Sequence, residues 1–343
     1  MTAKLSEIAG KPQIASLAGS LLLACWLATM PALAQSGSAP GTAASGYPDR
    51  LIKIIVPFPP GGPTDVAARM VVDQLGARLK GSVVVENQPG AGGRTGSKAV
   101  AKAAPDGYTL LIGGTNLNAV IPALFKKLDY DPVKDFAPVA AIATDALVMV
   151  VGPQVPARSV AEFIAYAKAN PGKLSTGAVV GIGSHFSIEL FKIRAGLDML
   201  FVPYKGGAPA IQDVMGGHIH MTMNNKSVLL ALIQDDKVRA LAVTNLTRWA
   251  ELPEVPTMAE SGFAGFPSSS WYGLLAPAAT PPAIIDKLNG AVNEILRSKE
   301  AQTSFAKLGI DPNIGSPREF GAALASQVRE WDGIVKETGI KVE

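Results

Sequence analysis

The sequence contains a single cysteine, Cys25, and only three histidines among its 343 residues. Cys25 lies in an N-terminal segment that we predict to be removed, so we expect no disulfide and no cysteine metal site in the mature chain. Charged residues make up 17% of the sequence and the net charge is only +3. Without a long run of one charge sign, the sequence gives no indication of nucleic-acid binding.

The N-terminus has the features of a secretory signal peptide. Two lysines precede an apolar run over residues 14–27, and Ala32 and Ala34 form the small-residue pattern of a cleavage site. We therefore predict a signal peptide over residues 1–34, cleaved after Ala34, and a periplasmic location. The alternative is a lipoprotein, with Cys25 as the lipidated residue.

Short apolar runs alternate with helical patterns along the rest of the chain, which predicts an α/β fold. The runs are typical of strands buried on both faces. They are Ile52 to Val56, Val83 to Val85, Leu110 to Ile112, Leu147 to Val151 and Val238 to Val243. Pro63 to Leu79 carries an apolar stripe of helical period, and Ser159 with Glu162 predicts a capping box. Two further helices, opened by Thr280-Pro281 and Ser316-Pro317, should cover the lobe formed first.

The length of the chain favours two domains. We predict a flexible leader over residues 35–46, rich in Gly, Ser and Ala. Residues 47–145 plus 271–343 should form lobe 1, and residues 146–270 should form lobe 2. A chain that leaves one lobe and returns to it has the connectivity of a hinged clamshell.

Glycine-rich turns follow several of the predicted strands. Gly61-Gly62 precedes the helix at Pro63, and Asp65 is placed to cap that turn. N–H groups at a helix N-terminus form an anion site. Similar junctions are Gly113-Gly114-Thr115-Asn116, Gly181-Ile182-Gly183-Ser184-His185 and Tyr204-Lys205-Gly206-Gly207. Ligands of open α/β sheets bind beyond the carboxyl ends of the strands, so we expect these loops to meet at one cleft. The alternative for each loop is an ordinary turn.

Enzyme motifs are weak in this sequence. Gly90 to Gly96 has one residue too many for a dinucleotide fingerprint, and there is no GxxxxGK[ST] phosphate loop. Ser184 adjoins His185, but sequence neighbours on a helix do not face each other as nucleophile and base. His218 and His220 could share a metal, or they are two ordinary sheet histidines. We predict no catalytic residue, no metal and no cofactor.

Several distinctive motifs occur in order along the mature chain. They are Pro57-Phe58-Pro59-Pro60-Gly61-Gly62-Pro63-Thr64-Asp65, Gly93-Arg94-Thr95-Gly96, Pro105-Asp106-Gly107-Tyr108, Gly181-Ile182-Gly183-Ser184-His185, Pro203-Tyr204-Lys205-Gly206-Gly207, Leu252-Pro253-Glu254-Val255-Pro256-Thr257 and Trp271-Tyr272-Gly273-Leu274. As a set they resemble the receptors of tripartite tricarboxylate transporters, also called Bug proteins. The resemblance implies a two-lobed periplasmic-binding-protein fold (Venus flytrap, type II), each lobe a mostly parallel α/β sheet flanked by helices. It also implies a monomeric receptor that binds a small organic acid and delivers it to two-component membrane transporter subunits.

In this family, backbone amides and small hydroxyls hold the carboxylate of the ligand. The resemblance, together with the loops, predicts these ligand-binding residues: Phe58, Pro59, Gly61, Gly62, Asp65, Thr115, Asn116, Gly181, Gly183, Ser184, Tyr204 and Asn225. Trp271 and Tyr272 are further candidate cleft aromatics, whereas Lys205 either approaches the cleft or points to solvent.

The resemblance has one departure. The family commonly has Met-Phe-Asp-Asn where this chain has Met223-Asn224-Asn225. The change removes a negative charge or an acceptor near the cleft; the alternative is a tolerated substitution without a role in selectivity. Other functions for the same clamshell are a carboxylate sensor for a signalling partner and a periplasmic enzyme.

Overall fold

The computed structural model describes residues 46–125, 127–267 and 270–340. The predicted signal peptide and residues 35–45 of the predicted leader lie outside this range. The strands are β1 (Ile52–Val56), β2 (Val83–Asn87), β3 (Thr109–Gly114), β4 (Phe136–Asp145), β5 (Leu147–Val151), β6 (Ser175–Val179), β7 (Leu200–Tyr204), β8 (Met221–Asn225), β9 (Arg239–Val243), β10 (Ser270–Pro277) and β11 (Asp311–Pro312).

Most of the α-helices follow a strand in sequence, and the one that starts at Lys226 begins at the next residue after β8. They are α1 (Pro63–Leu79), α2 (Arg94–Ala101), α3 (Ile121–Leu124), α4 (Val160–Lys168), α5 (Gly183–Ala195), α6 (Gly207–Met215), α7 (Lys226–Gln234), α8 (Pro282–Arg297), α9 (Lys299–Lys307) and α10 (Pro317–Thr338). A π-helical turn, Asn116–Val120, joins β3 to α3. No helix in the described part of the chain is long and apolar enough to cross a membrane.

The strands form two sheets, in the orders β11-β4-β10-β3-β1-β2 and β7-β6-β8-β5-β9, which confirms the α/β, two-sheet class. Both sheets are mixed, so the expectation of mostly parallel sheets was wrong in this respect. In the first sheet β10 runs antiparallel to β3 and β4, and in the second β5 runs antiparallel to β8 and β9. The reason is the end at which each strand enters its sheet. β10 begins beside the end of β4, and β5 begins beside the ends of β8 and β9, so each runs against its neighbours.

The first sheet is buried on both faces, as its uninterrupted apolar strands predict. On one face Ile52 and Ile54 of β1 pack in a cluster with residues of α1 and α8. On the other face Ile55 packs with α2 and with Phe320 and Leu324 from the first half of α10. The helix α8 thus covers the first sheet, as predicted.

The second sheet is also covered on both faces. One cluster joins Met221 and Met223 of β8 to α4, α5 and the second half of α10, including Trp331 and Ile334. The opposite cluster joins Val148 of β5 to α6 and α7. The helix α10 therefore contacts both sheets, a role that its apolar stripe alone did not indicate.

Two helix starts show how local sequence sets element boundaries. At α10 the Ser316 hydroxyl accepts from the Glu319 N–H at 3.2 Å, and the Glu319 carboxylate accepts from the Ser316 N–H at 2.8 Å, a complete capping box. At α4 Ser159 accepts from the Glu162 N–H, as predicted. The Glu162 carboxylate, however, accepts from the N–H of Arg158 at 2.7 Å, so the predicted reciprocal box is incomplete.

Polar contacts link the two sheets where β4 passes into β5. Asp145 at the end of β4 is buried, and its carboxylate accepts from the Ser227 hydroxyl of α7 at 2.6 Å. Burial raises the pKa of Asp145 to about 6. The side chain of Lys226 is also buried, and its ammonium lies 3.1 Å from Glu251 and 3.1 Å from Asp311 of β11. The start of α7 is therefore tied to the first sheet.

Candidate ligand-binding cavity

A cavity of about 710 Å³ is lined by residues that follow strands of both sheets. Its lining residues are Phe58, Pro59, Pro60, Gly61, Gly62, Thr64, Gly114, Thr115, Asn116, Leu117, Val179, Ile182, Ser184, Gly207, Ala208, Ile211, Gln212, Asn224, Asn225, Val228, Leu232, Ser270, Trp271 and Tyr272. Within the described ranges, no Lys, Arg, His, Asp or Glu side chain belongs to this lining. The size of the cavity is that of a small-molecule site.

The α1 junction, residues 58–65, is organised by the buried carboxylate of Asp65. One oxygen accepts from the Gly61 N–H at 3.0 Å, which confirms that Asp65 reaches back across the turn. The amide of Asn87 donates to Asp65 at 2.9 Å and to the Phe58 carbonyl at 3.0 Å. Gly61 has φ +82°, a left-handed conformation that favours glycine.

Arg69 completes this arrangement from one turn further along α1. Its guanidinium donates to both oxygens of Asp65, at 2.9 and 3.1 Å. The hydrogen bond from Arg69 lowers the pKa of Asp65 to about 2, so the carboxylate is charged at neutral pH. Asp65 is only 2% exposed and does not line the cavity. It positions the loop whose residues Phe58 to Gly62 line the cavity.

The junction after β3 places Thr115 and Asn116 at the cavity, and both side chains form hydrogen bonds within the protein. The Thr115 hydroxyl donates to Gln327 at 3.0 Å and accepts from the Trp271 N–H at 3.0 Å. Asn116 accepts from the Gly183 N–H at 3.1 Å. Because β3 belongs to the first sheet and α5 packs on the second, Asn116 connects the two sides of the cavity.

The α5 junction, residues 179–185, combines a tight turn with a helix start at the cavity. Gly181 has φ +80°, and its N–H donates to the Nδ1 atom of His185 at 3.2 Å. The His185 ring also packs on Phe201, with centroids 4.2 Å apart. Burial lowers the pKa of His185, so a neutral imidazole that accepts this bond is favoured. Ser184, at the second position of α5, lines the cavity.

The junctions before α6 and α7 supply the remaining side of the cavity. Gly207 and Ala208 line it at the start of α6, and Asn224 and Asn225 line it at the end of β8. Tyr204 does not: its hydroxyl donates to the Asp213 carboxylate, and its ring lies against Gly177. Tyr204 lies outside the lining because its ring packs on a glycine of the neighbouring strand, and its contact with a ligand stays a prediction.

Eight of the twelve predicted residues meet in this one cavity. They are Phe58, Pro59, Gly61, Gly62, Thr115, Asn116, Ser184 and Asn225. The other four, Asp65, Gly181, Gly183 and Tyr204, lie outside the lining, where the first three shape the loops. Contact of the eight with a ligand stays a prediction.

The sequence-based set missed an apolar part of the lining. Ile211 lies one turn into α6, and Val228 and Leu232 lie on α7. Their spacing from the helix starts was a usable signal, because residues four apart lie on one face of a helix. Trp271 and Tyr272, considered only as candidates, line the cavity, whereas Lys205 is exposed and lies outside it.

A second histidine, His220, contacts Ser175. The Nδ1 atom of His220 lies 3.1 Å from both the N–H and the hydroxyl of Ser175. Among the residues that the structure describes, no group of three or more His, Cys, Asp or Glu side chains could hold a metal ion.

The geometry of the cavity suits an anion held by neutral donors. Four helices, α1, α5, α6 and α7, begin at its wall. The first N–H groups of a helix have no partner within the helix, and the aligned peptide dipoles make that end partially positive. Two helix-covered sheets around such a cavity define the chain as a two-lobed solute-binding protein.

Comparisons with known proteins agree with this class. The family model described as tripartite tricarboxylate transporter family receptor matches residues 67–340. Protein BugT of Bordetella pertussis is 39% identical over 313 residues, which cover 91% of this chain and 96% of BugT. The chain therefore belongs to the tripartite tricarboxylate transporter receptor family, whose members are substrate-binding receptors and not enzymes.

Solved structures show the same fold. A periplasmic transporter is 39% identical with a TM-score of 0.76, covering 87% of this chain and 100% of its own. Rpa4515 of R. palustris, solved with adipate, is 35% identical with a TM-score of 0.76, covering 86% and 99%. MatC from Rhodopseudomonas palustris, solved with bound malate, is 31% identical with a TM-score of 0.73, covering 84% and 100%.

Proposed function

We propose that the protein is a periplasmic receptor that binds a small organic carboxylate and delivers it to the two-component membrane part of a tripartite tricarboxylate-type transporter. The observation that carries the proposal is the start of four helices at a cavity whose described lining has no charged side chain. A carboxylate bound there receives N–H donors and the positive ends of the helix dipoles.

The adipate bound by Rpa4515 and the malate bound by MatC support this chemistry. In this protein the proposed contacts come from the Gly61-Gly62 loop on one side and from Ser184 on the other. Phe58, Asn116 and Asn225 contribute further parts of the wall. The ligand would close the cleft because it contacts loops from both sheets, so that binding offsets the cost of bringing them together.

The test begins with a thermal-shift screen of organic acids. A ligand at about 100 times its Kd stabilises the folded protein by roughly 2.7 kcal/mol, which such a screen detects. The best acid is then compared by calorimetry with its own carboxamide, which has the same shape but no charge. We expect the carboxamide to bind at least about tenfold more weakly, since a charge-assisted hydrogen bond contributes roughly 1.5–3 kcal/mol.

Equal affinity for the acid and its carboxamide would contradict the carboxylate proposal. A chelator should leave the affinity unchanged, and the recovered ligand should have its original mass, because the proposed site uses neither metal nor catalysis. Delivery is tested separately, by uptake of the acid in cells with and without this receptor beside its membrane subunits. We expect a monomeric receptor, which light scattering checks.

A further inference from the structure

One wall of the cavity is built where α6 and α7 begin. This α6–α7 wall comprises Gly207 and Ile211 of α6, Asn224 and Asn225 of β8, and Val228 of α7. Ile211 and Val228 make it partly apolar, and its polar side chains are amides. A ligand group that reaches this wall meets neutral side chains and the starts of two helices.

Asn224 is the wall residue whose hydrogen-bonding capacity is not used by the protein. Its side chain lines the cavity and is 8% exposed. No hydrogen bond from the described residues engages its amide. Its neighbour Asn225, by contrast, donates to the Asp145 carbonyl at 3.2 Å. An amide side chain offers two donors and one acceptor oxygen, and those of Asn224 are open to the cavity. The free amide of Asn224 therefore points to a ligand contact.

Gly207 allows Asn224 to take this position. A Cβ atom added to Gly207 would lie 2.8 Å from the Oδ1 atom of Asn224 and 3.6 Å from its Nδ2 atom. Any larger residue would displace the amide. The side chain of Asn224 thus rests against the first turn of α6, where the helix dipole is positive.

The charged groups behind this wall are already paired. The carboxylate of Asp145 is bonded to Ser227, and that of Asp213 to the Tyr204 hydroxyl. The ammonium of Lys226 is directed to Glu251 and Asp311, away from the lining. An ammonium group on a ligand would therefore find no free carboxylate at the wall, would lose its hydration and would face two positive helix ends.

We propose that Asn224 is a specificity-determining residue that favours acids with an oxygen acceptor at the α6–α7 wall and discriminates against acids with an ammonium group there. The inference rests on the proposed function, because it assumes that an acid occupies the cavity. It goes further because it proposes that one side chain, that of Asn224, selects among acids that have one carboxylate in common and differ at the other end.

The experiment uses matched acids that differ only in their terminal group. Adipate, 6-hydroxyhexanoate, hexanoate and 6-aminohexanoate are titrated into the full-length mature protein by calorimetry, together with the corresponding four-carbon series. We expect 6-aminohexanoate to bind at least about tenfold more weakly than adipate. In Asn224→Asp, the new carboxylate should shift the ratio of these two affinities by at least about tenfold towards the amino acid.

Two further variants separate the effect of a new negative charge from the effect of the position of the Asn224 amide. Gly207→Ala should displace the amide of Asn224 and weaken the discrimination without adding a charge. Asn245→Asp is the matched control, because Asn245 is a half-buried asparagine outside the cavity lining. It should leave the ratio unchanged. Thermal unfolding of each variant verifies that it is folded.

The outcomes are distinct. If acids bind, but 6-aminohexanoate binds as tightly as adipate or folded Asn224→Asp leaves the ratio unchanged, the inference is wrong while the carboxylate proposal stands. If no acid of either series binds and the wider screen also fails, the proposed function and the inference both fall.

Discussion

The α1 junction and the α5 junction present helix starts to the same cavity but are held in different ways. The α1 junction is secured within the first sheet, by Asp65 with Arg69 and Asn87. The α5 junction receives a bond from the other sheet, because Asn116 accepts from Gly183. We infer that the first loop is formed before the ligand arrives, whereas the second depends on the approach of the two sheets.

We expect the largest effect from a substitution in the α1 junction, which is held by contacts within the first sheet. Asp65→Ala removes a buried carboxylate that accepts from Gly61, Asn87 and Arg69, and we expect a loss of about 2–3 kcal/mol in the free energy of unfolding. Urea unfolding of the ligand-free protein measures it. A loss below about 1 kcal/mol would show that the loop keeps its shape without the carboxylate.

The same variant gives a pH prediction. The pKa of Asp65 is lowered to about 2, so its contribution to stability is present above the unfolded pKa of about 4 and is lost as the pH falls towards 2. The stability difference between the wild-type protein and Asp65→Ala should therefore shrink over that range. Arg69→Ala, which leaves the bonds from Gly61 and Asn87 in place, should be less destabilising.

Ser184→Ala tests the α5 junction at its ligand-facing residue. If the hydroxyl donates to a carboxylate, its loss should weaken binding by about 1.5–3 kcal/mol, roughly ten- to a hundredfold in Kd, with little change in stability. Calorimetry with the best acid decides this. Ser187→Ala is the matched control one turn further on α5, where the hydroxyl is buried outside the cavity lining. Equal affinities of the two variants would place the carboxylate elsewhere.

Asn116→Ala should have a smaller effect, because it removes one bond between neutral groups across the cavity. We expect binding weaker by about 0.5–1.5 kcal/mol and almost unchanged unfolding of the ligand-free protein. Asn116→Asp keeps an oxygen acceptor for Gly183 but places a negative charge at the cavity, so it should bind acids less well than Asn116→Ala. The reverse order would mean that an anion does not occupy this part of the cavity.

Lys205→Ala should have the smallest effect. Lys205 is exposed in the loop before α6 and is outside the cavity lining. We expect a change in Kd of less than about twofold at moderate salt, because an exposed charge is screened by ions. A large loss of affinity would show that the protein binds its ligand with a cation as well as with helix starts.

The parts of the fold that local sequence encodes were predicted well. The helix α1 begins at Pro63 and ends at Leu79 as its pattern indicates, since proline suits the first turn and the apolar stripe runs to the last. Strand direction was not predictable in this way. A buried strand such as β10 reads as apolar whether its neighbours are parallel or antiparallel.

The cavity was predicted by its loops, but not in its details. The bond between Asn116 and Gly183 joins residues 67 apart, and that between Thr115 and Gln327 joins residues 212 apart. Such pairs depend on tertiary packing, which no local pattern records. The position of Tyr204 outside the lining was not predictable for the same reason: its packing on Gly177 follows from the pairing of β6 with β7.

The position of α10 has a consequence for the order in which the protein can fold. Phe320 and Leu324 complete a cluster on the first sheet, and Trp331 and Ile334 complete one on the second. Because α10 follows every strand in the described chain, these residues can pack only after the strands that they cover. Both sheets therefore keep an uncovered apolar face until α10 docks, and a chain that stopped before Ser316 would expose hydrophobic surface on both sheets at once.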